Sequence, residues 1–256
     1  MKKSVLLVLA SALAVSACYK NELVESLPKS DLHVVIEEGF VSKTAMDADN
    51  NIYWSDGDML IGFMKSSYGY KYKVKPDFVG KTYADFDLVQ SEGVGDLSAG
   101  IEWDHNVVFY PYSDSIEVKR SGLNYSLDIN LPSEQRYVAG SFGNGAFPMV
   151  AVSQSNNITF KNICGGIKLQ FKGSKKLTAI KLEGKNSEKL SGKATVVAYT
   201  DNETKPSVVM SSMASNSVVL KCEDGIQLDN NAATEFVLTV PPVQFSKGFI
   251  VTVYDD

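Results

Sequence analysis

Cys18 is the residue whose surroundings most directly specify a reaction. It closes Val15-Ser16-Ala17-Cys18, behind a basic start, Met1-Lys2-Lys3, and an apolar run from Val5 to Val15. That run is too short for a permanent membrane-spanning helix and has the layout of an export signal. An apolar residue and two small ones before a thiol look like a lipobox, where the sulfur takes a diacylglycerol and the new N-terminus a further acyl chain. Each buried methylene contributes about 0.8 kcal/mol, so two or three chains hold firmly where one is marginal. The chemistry expected at Cys18 is lipidation after removal of residues 1–17. The alternative is an ordinary secretory signal cleaved near Ala17.

Other reactive groups lack partners. His33 and His105 are the only histidines and stand far apart, which disfavours a metal site or a catalytic triad. No Gly-x-Ser-x-Gly elbow occurs. Asp47-Ala48-Asp49-Asn50-Asn51, with Asp58 eleven residues after Asp47, mimics calcium-loop spacing. Ile52 stands where that loop needs Gly, and the last ligand is Asp rather than a bidentate Glu, so a solvated turn is expected. Asp85 and Asp87 can share one face of a strand, as the paired acids of a glycosidase must, though surface alternation explains them more simply. Tyr68, Tyr70 and Tyr72 also share a face, either a stacking stripe for a sugar or partner or, more simply, a half-exposed aromatic ladder. No enzyme activity, cofactor or metal is expected.

Whole-chain properties narrow the classes further. Lys plus Arg number 25 against 30 Asp plus Glu, a net charge of -5, and the basic residues are scattered. Nucleic acid is therefore not an expected partner. No later apolar stretch is long enough for a transmembrane helix, so the lipid would be the membrane attachment. Cys164 and Cys222 are the remaining cysteines. Two buried free thiols are favoured over a bridge, since a chain of this size does not need one.

These residues must be positioned by strands. From Leu32 onward the apolar residues recur with period two between Gly, Asn, Asp, Ser and Pro clusters, and no stretch has helical periodicity. Strands are predicted at 32–40, 59–64, 70–74, 106–110, 125–129 and 149–152. A second series follows at 158–161, 167–171, 177–182, 193–198, 217–220, 235–240 and 249–254. Residues 18–31, polar and carrying Pro28, read as a tether between lipid and first strand. The polar cluster Gln154-Ser155-Asn156-Asn157 suggests a boundary between two β-sandwich domains, 32–154 and 155–256. Asp255-Asp256 looks like the opening of a hairpin turn without its return strand, so the second domain is expected to be incomplete.

The order of local motifs resembles the fimbrillin family, the Mfa-like and FimA-like fimbrial subunits of Bacteroidales type. The resemblance rests on Trp54-Ser55-Asp56-Gly57-Asp58-Met59, Val108-Phe109-Tyr110-Pro111-Tyr112, and Leu131-Pro132-Ser133-Glu134-Gln135 with Phe147-Pro148-Met149-Val150. It continues through Phe160 to Leu169 with Cys164-Gly165-Gly166, then Leu190-Ser191-Gly192, and Glu235 to Pro242 followed by Phe245-Ser246-Lys247-Gly248-Phe249. It implies an all-β fold of two tandem transthyretin-like (Greek-key) sandwiches. It further implies an exported lipoprotein of the outer membrane surface, structural or adhesive, that joins other fimbrial subunits by strand exchange.

In such assembly a protease removes an N-terminal strand after a basic residue and opens a groove for a neighbour's strand. The corresponding piece here would be Leu32, Val34 and Ile36, with cleavage after Lys43, the first basic residue after it. The simpler reading is that this segment is a permanent first strand. The alternative function is a surface lipoprotein that binds host or bacterial glycans on a β-sandwich scaffold.

Overall fold

The computed structural model describes residues 31–36, 53–89, 103–201 and 203–256. In chain order the strands are β1 (Leu32–Ile36), β2 (Met59–Phe63), β3 (Gly69–Val74), β4 (Tyr83–Leu88), β5 (Asn106–Tyr110) and β6 (Glu117–Ser121). They continue as β7 (Asn124–Leu131), β8 (Glu134–Val138), β9 (Ser141–Phe142), β10 (Met149–Ser153), β11 (Asn157–Asn162) and β12 (Gly165–Phe171). The last are β13 (Lys176–Gly184), β14 (Gly192–Tyr199), β15 (Ser207–Met210), β16 (Ser217–Gln227), β17 (Thr234–Val240) and β18 (Phe249–Asp255). One 3-10 turn, Pro76–Phe78, interrupts them. The protein is all β, with no α-helix among the described residues.

Seven strands close into a barrel in the order β1-β11-β10-β5-β2-β3-β4, with β4 returning to β1. β1, β3, β4 and β11 alternate between buried and more open positions and line the barrel with one face. β2, β5 and β10 are instead nearly continuous apolar runs. Such runs suit strands buried on both faces, and that is where they lie. Leu60, Val108, Tyr110 and Met149 point into the barrel core. Ile61, Phe63, Val107, Phe109 and Val150 point outward into a second core, shared with Leu127, Ile129 and Val196 of the sheet β15-β14-β7-β6.

A third core lies between the two-stranded sheet β12-β17 and the five-stranded sheet β18-β13-β16-β8-β9. β17 is buried on both sides: Phe236, Leu238 and Val240 enter that core, while Val237 packs with Phe142, Ala146 and Phe147. At the other side of this layer pair the packing thins. Ile167, Leu169, Phe171 and Val251 are only partly buried, and Phe249 and Val253 are exposed.

The expected boundary at Gln154–Asn157 falls in the hairpin turn between β10 and β11, two paired barrel neighbours. Sheets join residues on both sides of it: β7 pairs with β14, β8 with β16, and β1 with β11. Alternating burial specifies a strand and its faces but not which distant strand lies beside it, so the sequence pattern does not reveal this interleaving. All the predicted strands have counterparts, the first described as far as Ile36. β4, β6, β8, β9 and β15 are further strands that the period-two pattern does not predict.

Candidate functional site

β1 occupies a slot between two strands of different direction. It runs antiparallel to β4, with Leu32 opposite Phe86 and Val34 opposite Ala84. It runs parallel to β11, with Val34 opposite Ile158 and Ile36 opposite Phe160, the one parallel pair among the barrel's strand pairs. Leu32, Val34 and Ile36 are buried, while Val35 is half exposed. Their burial contributes about 6 kcal/mol before the entropy of ordering the strand is subtracted.

Trp54 is buried in the same core as these three side chains. Its indole meets Phe86 edge-on at 5.0 Å and Tyr110 edge-on at 5.5 Å, and lies 6.3 Å from Phe160. Phe86 and Phe160 are the residues opposite Leu32 and Ile36. Edge-to-face geometry places positive ring edges over negative faces, so these contacts add to simple burial. The buried Trp54 indole N–H has no hydrogen-bond partner among the described residues.

The turn that leads to β2 is fixed by Asp58. Its carboxylate accepts from the Ser55 backbone N–H at 2.7 Å and from the Tyr110 hydroxyl at 2.9 Å. Gly57, at φ +83, supplies the left-handed residue that this turn needs. The Tyr110 oxygen also lies 2.9 Å from the Asn144 side-chain amide. A phenol has one proton, so with its hydrogen bond donated to Asp58 the Asn144 amide must face the Tyr110 oxygen with its NH2 group. Burial, followed by the charge of Asp58, pushes the Tyr110 hydroxyl well above its ordinary value.

On the solvent side of the slot, polar pairs tie β1 to its neighbours. His33 Nδ1 lies 2.5 Å from Asp85 Oδ1. Lys75 bridges Asp31 and Asp87. Its hydrogen bond to Asp31 lowers the Asp31 carboxyl and raises the Lys75 ammonium. Solvent and salt screen such pairs near the surface, so they guide the strand's register more than they stabilise it.

The residues singled out from sequence meet different fates. Cys18, Lys43 and the run Asp47 to Asn51 lie outside the described residues. Asp58, the last oxygen of the calcium-like spacing, gives both carboxylate oxygens to protein donors. Asp85 and Asp87 share the outward face of β4, as expected, and engage His33 and Lys75. His105 lies near Tyr125, on another part of the molecule from His33. Tyr70 and Tyr72 are buried inside the barrel with Tyr68 packed against them. The half-exposed ladder expected from sequence is therefore a core element, because even-numbered positions of β3 face inward. Cys164 and Cys222 are free thiols belonging to different cores, Cys222 buried and Cys164 partly so.

Sequence reasoning missed Gln135. Its buried side-chain amide donates to the Thr239 carbonyl at 2.7 Å and accepts from the Thr239 N–H at 2.8 Å. It thereby imitates a neighbouring strand on the edge of β17 away from β12. The available signal was a polar residue at an inward position of a short alternating segment.

Among the described residues no three His, Cys, Asp or Glu side chains are grouped as a metal ion requires. What the arrangement offers is strand geometry: an inserted β1 with both edges paired, and, among the described residues, six sheet-end strands, β6, β9, β12, β15, β17 and β18, each paired with another strand on one edge only. Comparison of the chain with protein-family models, with curated proteins and with solved structures finds no significant match.

Proposed function

We propose that this protein is a fimbrial subunit or fimbria-associated lipoprotein that assembles at the cell surface by β-strand complementation. The observation that supports this reading best is β1 itself. It is a five-residue strand held between β4 and β11, with three apolar side chains in the barrel core that also holds Trp54. Its removal leaves two unpaired strand edges above an apolar trough, which an alternating strand from another subunit can fill. Main-chain hydrogen bonds then give affinity, and alternate side chains give register.

In this account Cys18 carries the lipid that holds the subunit to the outer membrane, and cleavage after Lys43 separates β1 from β2. Lys43 lies between those strands in the chain. The finer fold reading, two transthyretin-like sandwiches, belongs to the same proposal. Cores between facing sheets are consistent with it, whereas the closed ring and the pairing across residue 154 need a modified plan.

The test is proteolysis of the purified mature protein within residues 37–53. Strand exchange predicts that the cut chain releases its N-terminal piece and forms ladders that survive SDS until heated. A cut chain that keeps β1 and stays monomeric counts against it. Membrane fractionation of Cys18→Ala tests the anchor separately: an unchanged membrane fraction removes lipidation from the account.

A further inference from the structure

A cleft of about 310 Å3 opens where the outer face of the barrel meets the end of β14 and the turn toward β15. Val152 and Pro206 give it apolar surface, with the buried Val150 and Ala198 behind them. Asn157, Thr159 and Lys161 line one side, and Tyr199, Asp201 and Thr204 the other. The first three are alternate residues of β11, so their side chains leave the barrel together.

The rim is tied rather than loose. Lys161 Nζ donates to the Thr204 carbonyl at 3.1 Å, linking β11 to the β14–β15 turn. Asp201 accepts from the backbone N–H groups of Glu203, at 3.1 Å, and Thr204, at 2.5 Å, which closes that turn. Ser153 donates to the Asn157 carbonyl at 2.8 Å and fixes the hairpin end. A site whose walls are already in place loses little entropy when a ligand enters.

The lining discriminates among ligand classes. Its charged residues are one lysine and one aspartate, which offset, so neither a phosphate nor a cation is selected by charge. A purely apolar guest would strand the hydroxyl and amide groups of the walls without partners. The volume is at the small end of the range for ligand sites. A pyranose has the matching character, with an apolar C–H face and a belt of hydroxyls that donate and accept.

We propose that this cleft binds a single neutral pyranose residue, with Tyr199 and the apolar surface against its C–H face and Asn157, Thr159 and Lys161 on its hydroxyls. Strand exchange uses the edge of β11 and this cleft its outward face, so either idea can fail without the other. The cleft also gives glycan recognition a location that the buried tyrosines of β3 do not.

The test is a nuclear magnetic resonance titration of the mature, uncleaved chain with methyl glucoside, galactoside, mannoside and N-acetylglucosaminide, followed through backbone amides. At least one sugar is expected to cause saturable shifts at Thr159, Lys161, Tyr199 and Thr204, with a Kd on the order of 1 mM. Thr159→Trp fills the cleft from an exposed position and should weaken binding at least about tenfold, equivalent to about 1.4 kcal/mol. Tyr199→Leu should do the same if the tryptophan variant folds poorly. The proposal is overturned by an absence of shifts at these amides, by shifts that map elsewhere, or by variants that bind as the parent does. Binding of methyl glucuronide or inorganic phosphate in place of every neutral sugar also overturns it.

Discussion

The Tyr110 hydroxyl donates to the Asp58 carboxylate at 2.9 Å, joining the last residue of β5 to the turn that opens β2. Both side chains are buried. A buried carboxylate is tolerable only where donors replace the water it has lost. Tyr110→Phe keeps the ring against Trp54 and removes one of those donors. It should lower unfolding free energy by about 2–3 kcal/mol, read as a reduced urea midpoint at unchanged slope. Because the cost belongs to the carboxylate left behind, Asp58→Asn should recover part of it in the double variant. Additive losses would show that the two groups are not coupled.

Alkaline pH should destabilise the fold through groups that are buried neutral. Burial pushes Tyr72 up to about 12 from an ordinary 10.0 and raises Tyr110 well above the same value. Cys164 as a whole is partly exposed, yet burial around its sulfur pushes the thiol up to about 12 from 9.0. Raised acids favour the folded state below their unfolded pKa values, and the advantage is lost as pH rises through the folded values. The urea midpoint should therefore hold at neutral pH, begin to fall near pH 9, and drop steeply towards pH 12. Each group contributes up to about 1.4 kcal/mol per pH unit in its window. Tyr72→Phe should flatten the fall above about pH 10 and Cys164→Ala the fall from about pH 9 upward. An unchanged profile in both variants would exclude these groups as its cause.

Gln135 and Thr239 give the third prediction. The Gln135 amide supplies both a donor and an acceptor to one buried backbone residue. Gln135→Leu has similar bulk but leaves the Thr239 N–H and carbonyl unsatisfied, at about 1–3 kcal/mol for each group. Loss of amide protection in hydrogen exchange should centre on β17 and its contacts with β8 and β9. A variant as stable as the parent would mean that another group or water satisfies Thr239.

How much of this was legible in the sequence depends on what each residue had to reveal. Asn106–Tyr110 reads as a strand because five consecutive positions suit burial, and it is one. Tyr83–Leu88 carries a weaker signal, with Ala84 and Phe86 facing inward and Tyr83, Asp85 and Asp87 outward. Ala84 and Phe86, interleaved with Asp85 and Asp87, resemble a loop. β6 offers only Val118, and β8 only Tyr137 and Val138, as apolar signal. Partnership is less legible still. Trp54, Asp58 and Tyr110 each stood out within a motif, but nothing in their spacing tells that they meet. A side-chain pattern reports one strand's environment, whereas the contact between distant strands is a property of the closed sheet.

The fourth prediction separates an exchangeable strand from an ordinary one. Val34 in β1 and Val108 in β5 are both buried in the barrel core, at 1% and 0% exposure. An aspartate at either site places an unpaired carboxylate in apolar surroundings, a cost of about 3 kcal/mol or more. The consequences should differ because the surroundings of the strands differ. β5 is buried on both faces and joins two cores, so Val108→Asp should remove protection from the barrel and the β15-β14-β7-β6 sheet together. β1 has an open outer face and contributes only three core side chains, so the chain can relieve Val34→Asp by releasing β1 alone. Hydrogen exchange should then show lost protection in β1 and along the facing edges of β4 and β11, with β2, β5 and β10 still protected. Val35→Asp, on the exposed face, should change little. If Val34→Asp instead melts the barrel as Val108→Asp does, β1 is integral to the fold, no stable acceptor remains after its departure, and assembly by exchange of this strand is ruled out.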